Sequence, residues 1–101
     1  MKFRVRQVNN KSKRVQNTLT RLQAEILPTT SPTKVDVGYW WIAYSEAGKP
    51  VGFAAMKQSS QFYDCAFFHR SGVLDDYTGN GIQKKLIKAR LRKCKIGRAH
   101  V

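Results

Sequence analysis

The stretch Val73–Leu86 reads Val-Leu-Asp-Asp-Tyr-Thr-Gly-Asn-Gly-Ile-Gln-Lys-Lys-Leu. A hydrophobic run meets a glycine-spaced turn and then a basic amphipathic segment, an order that predicts a strand, a loop and a helix. Gly79 and Gly81 lack a Cβ atom, so the backbone there can adopt left-handed angles and let a ligand approach closely. The first amides of the following helix have no acceptor within the helix, and with the helix dipole they favour an anion, usually phosphate. Lys84 and Lys85 add positive charge at this place.

Two glycines before a helix are more often only a tight turn, but a longer stretch is more specific. The segment His69–Ile87 resembles the acetyl-coenzyme-A-binding motif of GNAT superfamily N-acetyltransferases, in which a strand ending in Val leads through a Tyr-Arg-Gly-x-Gly loop into a helix. The resemblance implies that the loop amides hold the coenzyme pyrophosphate and that the strand-end backbone hydrogen-bonds the pantetheine arm. The cofactor-binding residues that it implies are Val73, Thr78, Gly79, Asn80, Gly81, Ile82, Gln83 and Lys84.

Two positions depart from the commonest pattern of that family. Thr78 stands where the family usually has Arg or Gln, so one possible side-chain contact with the coenzyme is lost. Gln83 stands where Gly or Ala is usual, and it keeps its backbone amide but adds bulk near the phosphates. We therefore expect weaker coenzyme binding than the common motif gives.

The composition of the chain is strongly basic. Its 101 residues include 19 Lys and Arg against six Asp and Glu, a formal net charge of +13. Such a field attracts polyanions such as nucleic acid, anionic lipid or a phosphorylated cofactor, although simple solubility would also explain it. With 42% hydrophobic residues the chain can bury one modest core, which argues against global disorder.

The cysteine pattern and the hydropathy predict a cytoplasmic protein. Cys65 and Cys94 lie far apart and lack the paired spacing of zinc or redox sites, so both are interpreted as reduced thiols. No apolar stretch approaches the roughly 20 residues that cross a bilayer, and no signal-peptide core follows the first residues. We expect neither a metal site nor a membrane partner.

The apolar pattern predicts an α/β (α+β) domain with a mostly antiparallel sheet. The order is strand, helix, three strands, glycine loop, helix, and the resemblance adds a GNAT-like fold whose C-terminal strands are missing. The predicted elements are a strand at Lys2–Val8, a helix with Val15, Leu19, Leu22 and Ile26 on its apolar face, a hairpin of Tyr39–Ser45 with Val51–Met56, a strand at Phe62–His69 and a helix at Ile82–Lys95.

The last helix is predicted to have a broad buried face. Its apolar positions form one row and a second, offset row. The first row is Ile82, Leu86 and Ala89, the offset row is Ile87, Leu91 and Cys94, and the residues expected in solvent are Arg90, Arg92, Lys93 and Lys95.

No residue can be assigned a catalytic role from the sequence. Asp64 and His69 have side chains suited to general-base chemistry near neutral pH, but a carboxylate facing solvent and a structural histidine are the commoner roles. Tyr39, Trp40 and Trp41 could stack on bases, although core packing is the more frequent use of such residues.

The resemblance covers nearly all of residues 1–95, whereas the family fold continues through further strands and another helix. Residues 1–95 are therefore predicted to be the N-terminal part of a single acetyltransferase domain. Residues 96–101, Ile-Gly-Arg-Ala-His-Val, resemble the translation of a short-read sequencing adapter, so we expect an artefactual tail on a metagenomic or viral fragment. The strand Phe62–His69 would then be left with an unpaired edge, which favours self-association.

The resemblance implies an N-acetyltransferase that transfers an acetyl group from acetyl-CoA to an unknown amine acceptor. The deprotonated amine attacks the thioester directly, so no enzyme nucleophile is needed, and the activity is expected to be incomplete in this chain. Two alternatives stay open: a small basic nucleic-acid-binding protein, and a coenzyme A binder without turnover.

Overall fold

A computed structural model of the chain describes residues 2–29, 34–58 and 66–99, with side chains described for 2–29, 34–56 and 70–93. Five strands and helices precede the last helix, and a short 3₁₀ turn at Asp75–Tyr77 lies before it. The elements are β1 (Arg4–Val8), α1 (Lys13–Ile26), β2 (Tyr39–Tyr44), β3 (Pro50–Gln58), β4 (Ala66–Val73) and α2 (Ile82–Ala99).

The four strands form one sheet in the order β1-β2-β3-β4, and every neighbouring pair is antiparallel. The predicted fold class, element order and β2–β3 hairpin are therefore confirmed. The fourth strand ends at Val73, as the resemblance implies, and not at His69, where the apolar run ends; Phe62–Cys65 lie outside the described residues. Because β4 pairs with β3 alone among the described strands, it forms one edge of the sheet.

The helix α1 begins and ends where the sequence places it. Ser12 is the N-cap, since its carbonyl accepts from the Gln16 amide at 2.9 Å, and Pro28 follows shortly after the last helical residue. The apolar face of α1 packs on one side of the sheet, in a cluster that includes Leu19, Leu22, Trp40, Ile42 and Phe53.

The other side of the sheet packs against α2. This second cluster includes Phe3, Trp41, Ala43, Ala54, Met56, Val73, Ile82 and Leu86. Because side chains alternate along a strand, Trp40 and Trp41 lie in different clusters, and they are only 1% and 4% exposed. The favoured interpretation of these two rings as core residues is therefore confirmed, and the alternative of stacking on bases is wrong for both.

The buried face of α2 is narrower than the sequence predicts. Ile82, Leu86 and Arg90 are buried, whereas Ile87 is 41% and Leu91 is 44% exposed. Residues four apart form one row along a helix, and this row faces the sheet, with Ala89 half-buried beside it. The predicted burial of the offset row is therefore wrong for its first two members, and the Cys94 side chain lies outside the described ones.

Two cations predicted in solvent are instead packed against the sheet. The Arg90 side chain is 5% exposed, its Nη1 donates to the Ala55 carbonyl at 3.3 Å, and burial lowers the pKa of its guanidinium. The Lys93 ammonium lies 4.5 Å from the centroid of the Tyr39 ring. Both side chains have long apolar stems that cover the sheet, while the Arg90 guanidinium contacts a carbonyl and the Lys93 ammonium contacts an aromatic ring. Arg92 is exposed, as predicted.

The Arg90 contact falls where the sheet is irregular. Ala54 pairs with Ser71 and Met56 pairs with Phe68, so the single residue Ala55 lies opposite two residues of β4. An extra residue on one strand is a β-bulge, which interrupts the ladder and bends the strand. The Arg90 guanidinium therefore ties α2 to β3 at the level of the bulge.

Candidate anion-binding site

The loop between β4 and α2 contains two glycines with left-handed backbone angles. Gly79 has φ 83° and Gly81 has φ 77°, values that residues with a side chain rarely adopt. A Cβ atom at either position would meet nothing within 4 Å. Glycine is therefore favoured here by the backbone conformation, and the space beside both residues is open to a ligand.

The start of α2 presents amides that the helix does not use. The first bond of the helix runs from the Lys85 amide to the Gly81 carbonyl at 3.2 Å, so the amides of Ile82, Gln83 and Lys84 precede it. The first turn contains no acidic side chain that would compensate their partial positive charge. An anion beside Gly81 would meet these amides directly.

Two side chains of the loop donate hydrogen bonds to backbone carbonyls of the same loop. The Thr78 hydroxyl donates to the Asp75 carbonyl at 2.9 Å, and the Asn80 amide donates to the Tyr77 carbonyl at 3.0 Å. The Ile82 side chain is buried and fixes the start of the helix on the sheet, while Gln83 and Lys84 are exposed. The predicted site residues therefore lie together, and what they offer a ligand is mainly their backbone.

The Lys85 ammonium is held by a carbonyl outside the glycine loop. It donates to the Phe3 carbonyl at 3.0 Å and so ties the first turns of α2 to the segment before β1. Both lysines are exposed, and Lys84 has no such contact among the described residues.

The backbone of Val73 faces the open edge of the sheet. Val73 pairs with Gly52, and the Leu74 amide donates to the Val51 carbonyl at 2.8 Å. This pattern marks Val73 and Gly52 as a non-hydrogen-bonded pair, in which the N–H and C=O groups point away from the partner strand. The peptide groups of Val73 are therefore directed outward from β3, next to the glycine loop.

Tyr77 anchors the loop and was missed by the sequence reasoning. Its ring packs edge-to-face on Phe3, with the centroids 6.1 Å apart, and the Lys49 ammonium lies 5.8 Å from its centroid. An aromatic residue two positions before the glycine pair was the signal in the sequence. The ring connects the loop to the segment before β1 and to the β2–β3 hairpin.

We expect Tyr77→Ser to weaken binding of inorganic pyrophosphate, measured by calorimetry, because the loop loses a ring contact of about 0.5–1.5 kcal/mol. The matched control is Tyr77→Phe, which keeps the ring and should bind like the unmodified chain. A loss of equal size in both variants would show that the hydroxyl, and not the ring contact, matters.

The described residues place neither candidate general base at this site. Asp64 lies outside the described residues, and His69 lies in β4 at the bulge with its side chain outside the described ones. Within the described ranges, no group of three or more His, Cys, Asp or Glu could hold a metal ion. No described helix is both long and apolar enough to cross a membrane.

Solved structures with the same fold are acetyltransferases. An aminoglycoside acetyltransferase from an uncultured soil metagenomic sample has a TM-score of 0.73 and 18% identity over 97% of this chain and 74% of its own. A Bacillus cereus protein named IAA acetyltransferase has a TM-score of 0.70 and 17% identity, over 93% of this chain and 59% of its own.

A Bacillus anthracis protein proposed to be a streptothricin acetyltransferase, solved with acetyl coenzyme A, has a TM-score of 0.54 and 23% identity. The match covers 59% of this chain and 33% of the Bacillus anthracis protein, so this chain spans about a third of that protein's length. At these identities the likeness shows the fold. Among curated proteins, no sequence matches this chain significantly.

The sequence model of the acetyltransferase (GNAT) family matches residues 8–100. The matched range contains α1, the strands β2, β3 and β4, the glycine loop and all of α2. Because it covers nearly the whole sequence, the chain belongs to the acetyltransferase (GNAT) family.

Proposed function

We propose that this chain binds acetyl-CoA and is part of an N-acetyltransferase that transfers the acetyl group to an amine. The proposal rests on the order along the chain of backbone N–H and C=O groups that neither the sheet nor the helix uses. The outward peptide groups of Val73 are followed, eight residues later, by the left-handed Gly81 and the unused helix amides. A ligand with an amide-bearing arm joined to a pyrophosphate would engage both.

Each part of the site has one task in this proposal. The amides of Ile82, Gln83 and Lys84 hold the pyrophosphate, and the open space beside Gly79 and Gly81 admits its oxygens. The N–H and C=O groups of Val73 bond the pantetheine arm as an added strand would. The exposed Lys84 ammonium adds charge that salt should screen in part.

Acetyl-CoA supplies an activated thioester, so the protein needs only to hold it and orient it toward the acceptor amine. Fixing two reactants in the right geometry supplies much of a rate enhancement without any covalent enzyme intermediate. We assign no general base, and Asp64 and His69 stay predictions. A coenzyme binder without turnover is the alternative that the same geometry supports.

The proposal is tested by calorimetry with coenzyme A and with pantetheine, which lacks the phosphates. We expect coenzyme A to bind at least about tenfold more tightly, a difference of roughly 1.4 kcal/mol, because the helix amides act only on the pyrophosphate. Equal affinities would contradict the assignment of the loop. Turnover of acetyl-CoA with a panel of amines then separates the enzyme from the binder.

We propose nucleic-acid binding only as a nonspecific property of the charge. Exposed cations such as Arg4, Arg6 and Arg92 favour it, whereas the buried Trp40 and Trp41 cannot stack on bases. Such binding should fall steeply between low and physiological salt. Tight binding that persists at physiological salt, without any response to coenzyme A, would favour the nucleic-acid-binding alternative.

Three further expectations are kept as proposals. Self-association through the edge of β4 is supported by its place in the sheet, and light scattering tests it. A cytoplasmic location is supported by the widely spaced cysteines. The division between residues 1–95 and 96–101 stays a prediction, although α2 runs to Ala99, and source DNA sequenced beyond residue 95 tests it.

A further inference from the structure

A groove between β1 and α2 has no role in the proposed acetyl transfer. Its volume is about 190 Å³, and the residues that line it are Val5, Gln7, Trp41, Ala89, Arg92 and Lys93. Ala89 follows the start of α2 by seven residues, which places the groove about 10 Å along the helix from the anion-binding amides. The groove is therefore a separate surface on the same helix.

The groove exists because α2 diverges from β1. The Lys85 ammonium holds the first turns of α2 against the Phe3 carbonyl, and the helix then lies mainly over β3 and β4. The α2-facing side chains of β1, Val5 and Gln7, are thus left only half-covered or exposed. The floor between them and Ala89 is the buried Trp41 ring.

One wall of the groove is β1, which is an edge strand of the described sheet. β1 pairs with β2 alone among the described strands, so alternate peptide groups of Arg4–Val8 point away from the sheet. An extended peptide can pair with such an edge through its own main chain. Every second side chain of that added strand would then lie on the α2 face, above the groove.

The charges on this edge select the chemistry of that peptide. Arg4 and Arg6 are exposed on the edge strand, and because they alternate with Val5 and Gln7 they lie on the face of the sheet opposite the groove. On the groove side, Arg92 is exposed, and no acidic residue lines the groove. We propose that the β1 edge and this groove bind an acidic peptide segment as an added strand, with apolar side chains over Trp41 and acidic ones on the other face beside Arg4 and Arg6.

A peptide fits these observations better than a nucleic acid does. A nucleic acid needs cations and gains from exposed rings, but it has no use for a row of free strand amides and carbonyls. Within the described side chains, the two tryptophan rings are buried and Tyr39 is covered by Lys93.

The test uses a fluorescent peptide of alternating Glu and Val, with binding followed by anisotropy near physiological salt. We expect Arg6→Glu to weaken binding about tenfold or more, since a cation beside the carboxylates of the added strand becomes an anion. The matched control is Lys88→Glu, which makes the same change of charge at an exposed lysine of α2 that lies neither on β1 nor at the groove, and it should change the affinity about twofold or less. Calorimetry with coenzyme A reports whether both variants keep their fold.

A second probe isolates the strand edge from the charge. The same peptide methylated on alternate backbone nitrogens keeps its charge but loses the donors that would pair with β1, so we expect its binding to be lost in one of the two methylation registers. Undiminished binding in both registers, or equal weakening by Arg6→Glu and Lys88→Glu, would overturn the proposal. Competition by a single-stranded oligonucleotide that is equally sensitive to Arg6→Glu would assign this edge to nucleic acid instead.

Discussion

Gly81→Glu is expected to weaken coenzyme A binding strongly, a large functional effect for a single change in this chain. The new carboxylate would stand beside the unused amides at the start of α2, where it competes with the pyrophosphate and repels it. We expect an affinity loss of at least about tenfold, which corresponds to roughly 1.4 kcal/mol, measured by calorimetry.

The chain offers a closely matched control in Gly38→Glu. Gly38 has φ 76° against φ 77° at Gly81, and both residues are exposed. The two variants therefore share the change of charge and the strain of a left-handed side-chain residue, but only one lies in the loop before α2. An equal loss of affinity in both would assign the effect to net charge or strain and would remove the glycine loop from the binding site.

Leu86→Ala is expected to destabilise the fold by about 2–5 kcal/mol, a large part of the stability of a domain this small. Leu86 is fully buried between α2 and the sheet, so its truncation leaves a cavity. The neighbouring Ile87→Ala removes a comparable side chain that is 41% exposed, and it should change the stability by about 0.5 kcal/mol or less.

Urea unfolding measures this pair of variants directly, since a shift of the midpoint at constant slope is a change in stability. Similar losses for Leu86→Ala and Ile87→Ala would mean that both faces of α2 are buried. That outcome would restore the broad apolar face that the sequence pattern predicts.

The sequence predicts the order of elements well because each has a strong local signal. The apolar residues of α1 recur at helical spacing between a cap and Pro28, and the turn around Gly48 separates two apolar runs. The glycine loop is recognisable because a backbone with left-handed angles just before a helix strongly favours glycine, and Gly81 stands at that position.

The role of each side chain in α2 could not be predicted from periodicity alone. Ile82, Leu86 and Arg90 are spaced by four, but a cation at the third position is ordinarily assigned to solvent. Its burial depends on the Ala55 carbonyl at the bulge between β3 and β4, a feature of the paired strands that no local pattern contains. Ile87 and Leu91 are apolar enough to suggest burial, yet the sheet reaches only one face of the helix.

The site is likewise predictable in its position but not in its details. The resemblance places a pyrophosphate at the glycine pair, and the geometry of Gly79 and Gly81 agrees with that place. The destination of the Lys85 ammonium depends on the Phe3 carbonyl, which is 82 residues away in the sequence. Long-range contacts of this kind are set by the tertiary fold and leave no trace in a short motif.

That same contact determines when the site forms during folding. β2, β3 and β4 follow one another along the chain and pair with their sequence neighbours, so their contacts close short loops. The Lys85–Phe3 bond closes a loop of 82 residues, whose ends meet at a greater cost in chain entropy. We therefore expect β2, β3 and β4 to pair before the start of α2 docks against the segment before β1, so the helix amides would reach their final orientation after the strands have paired.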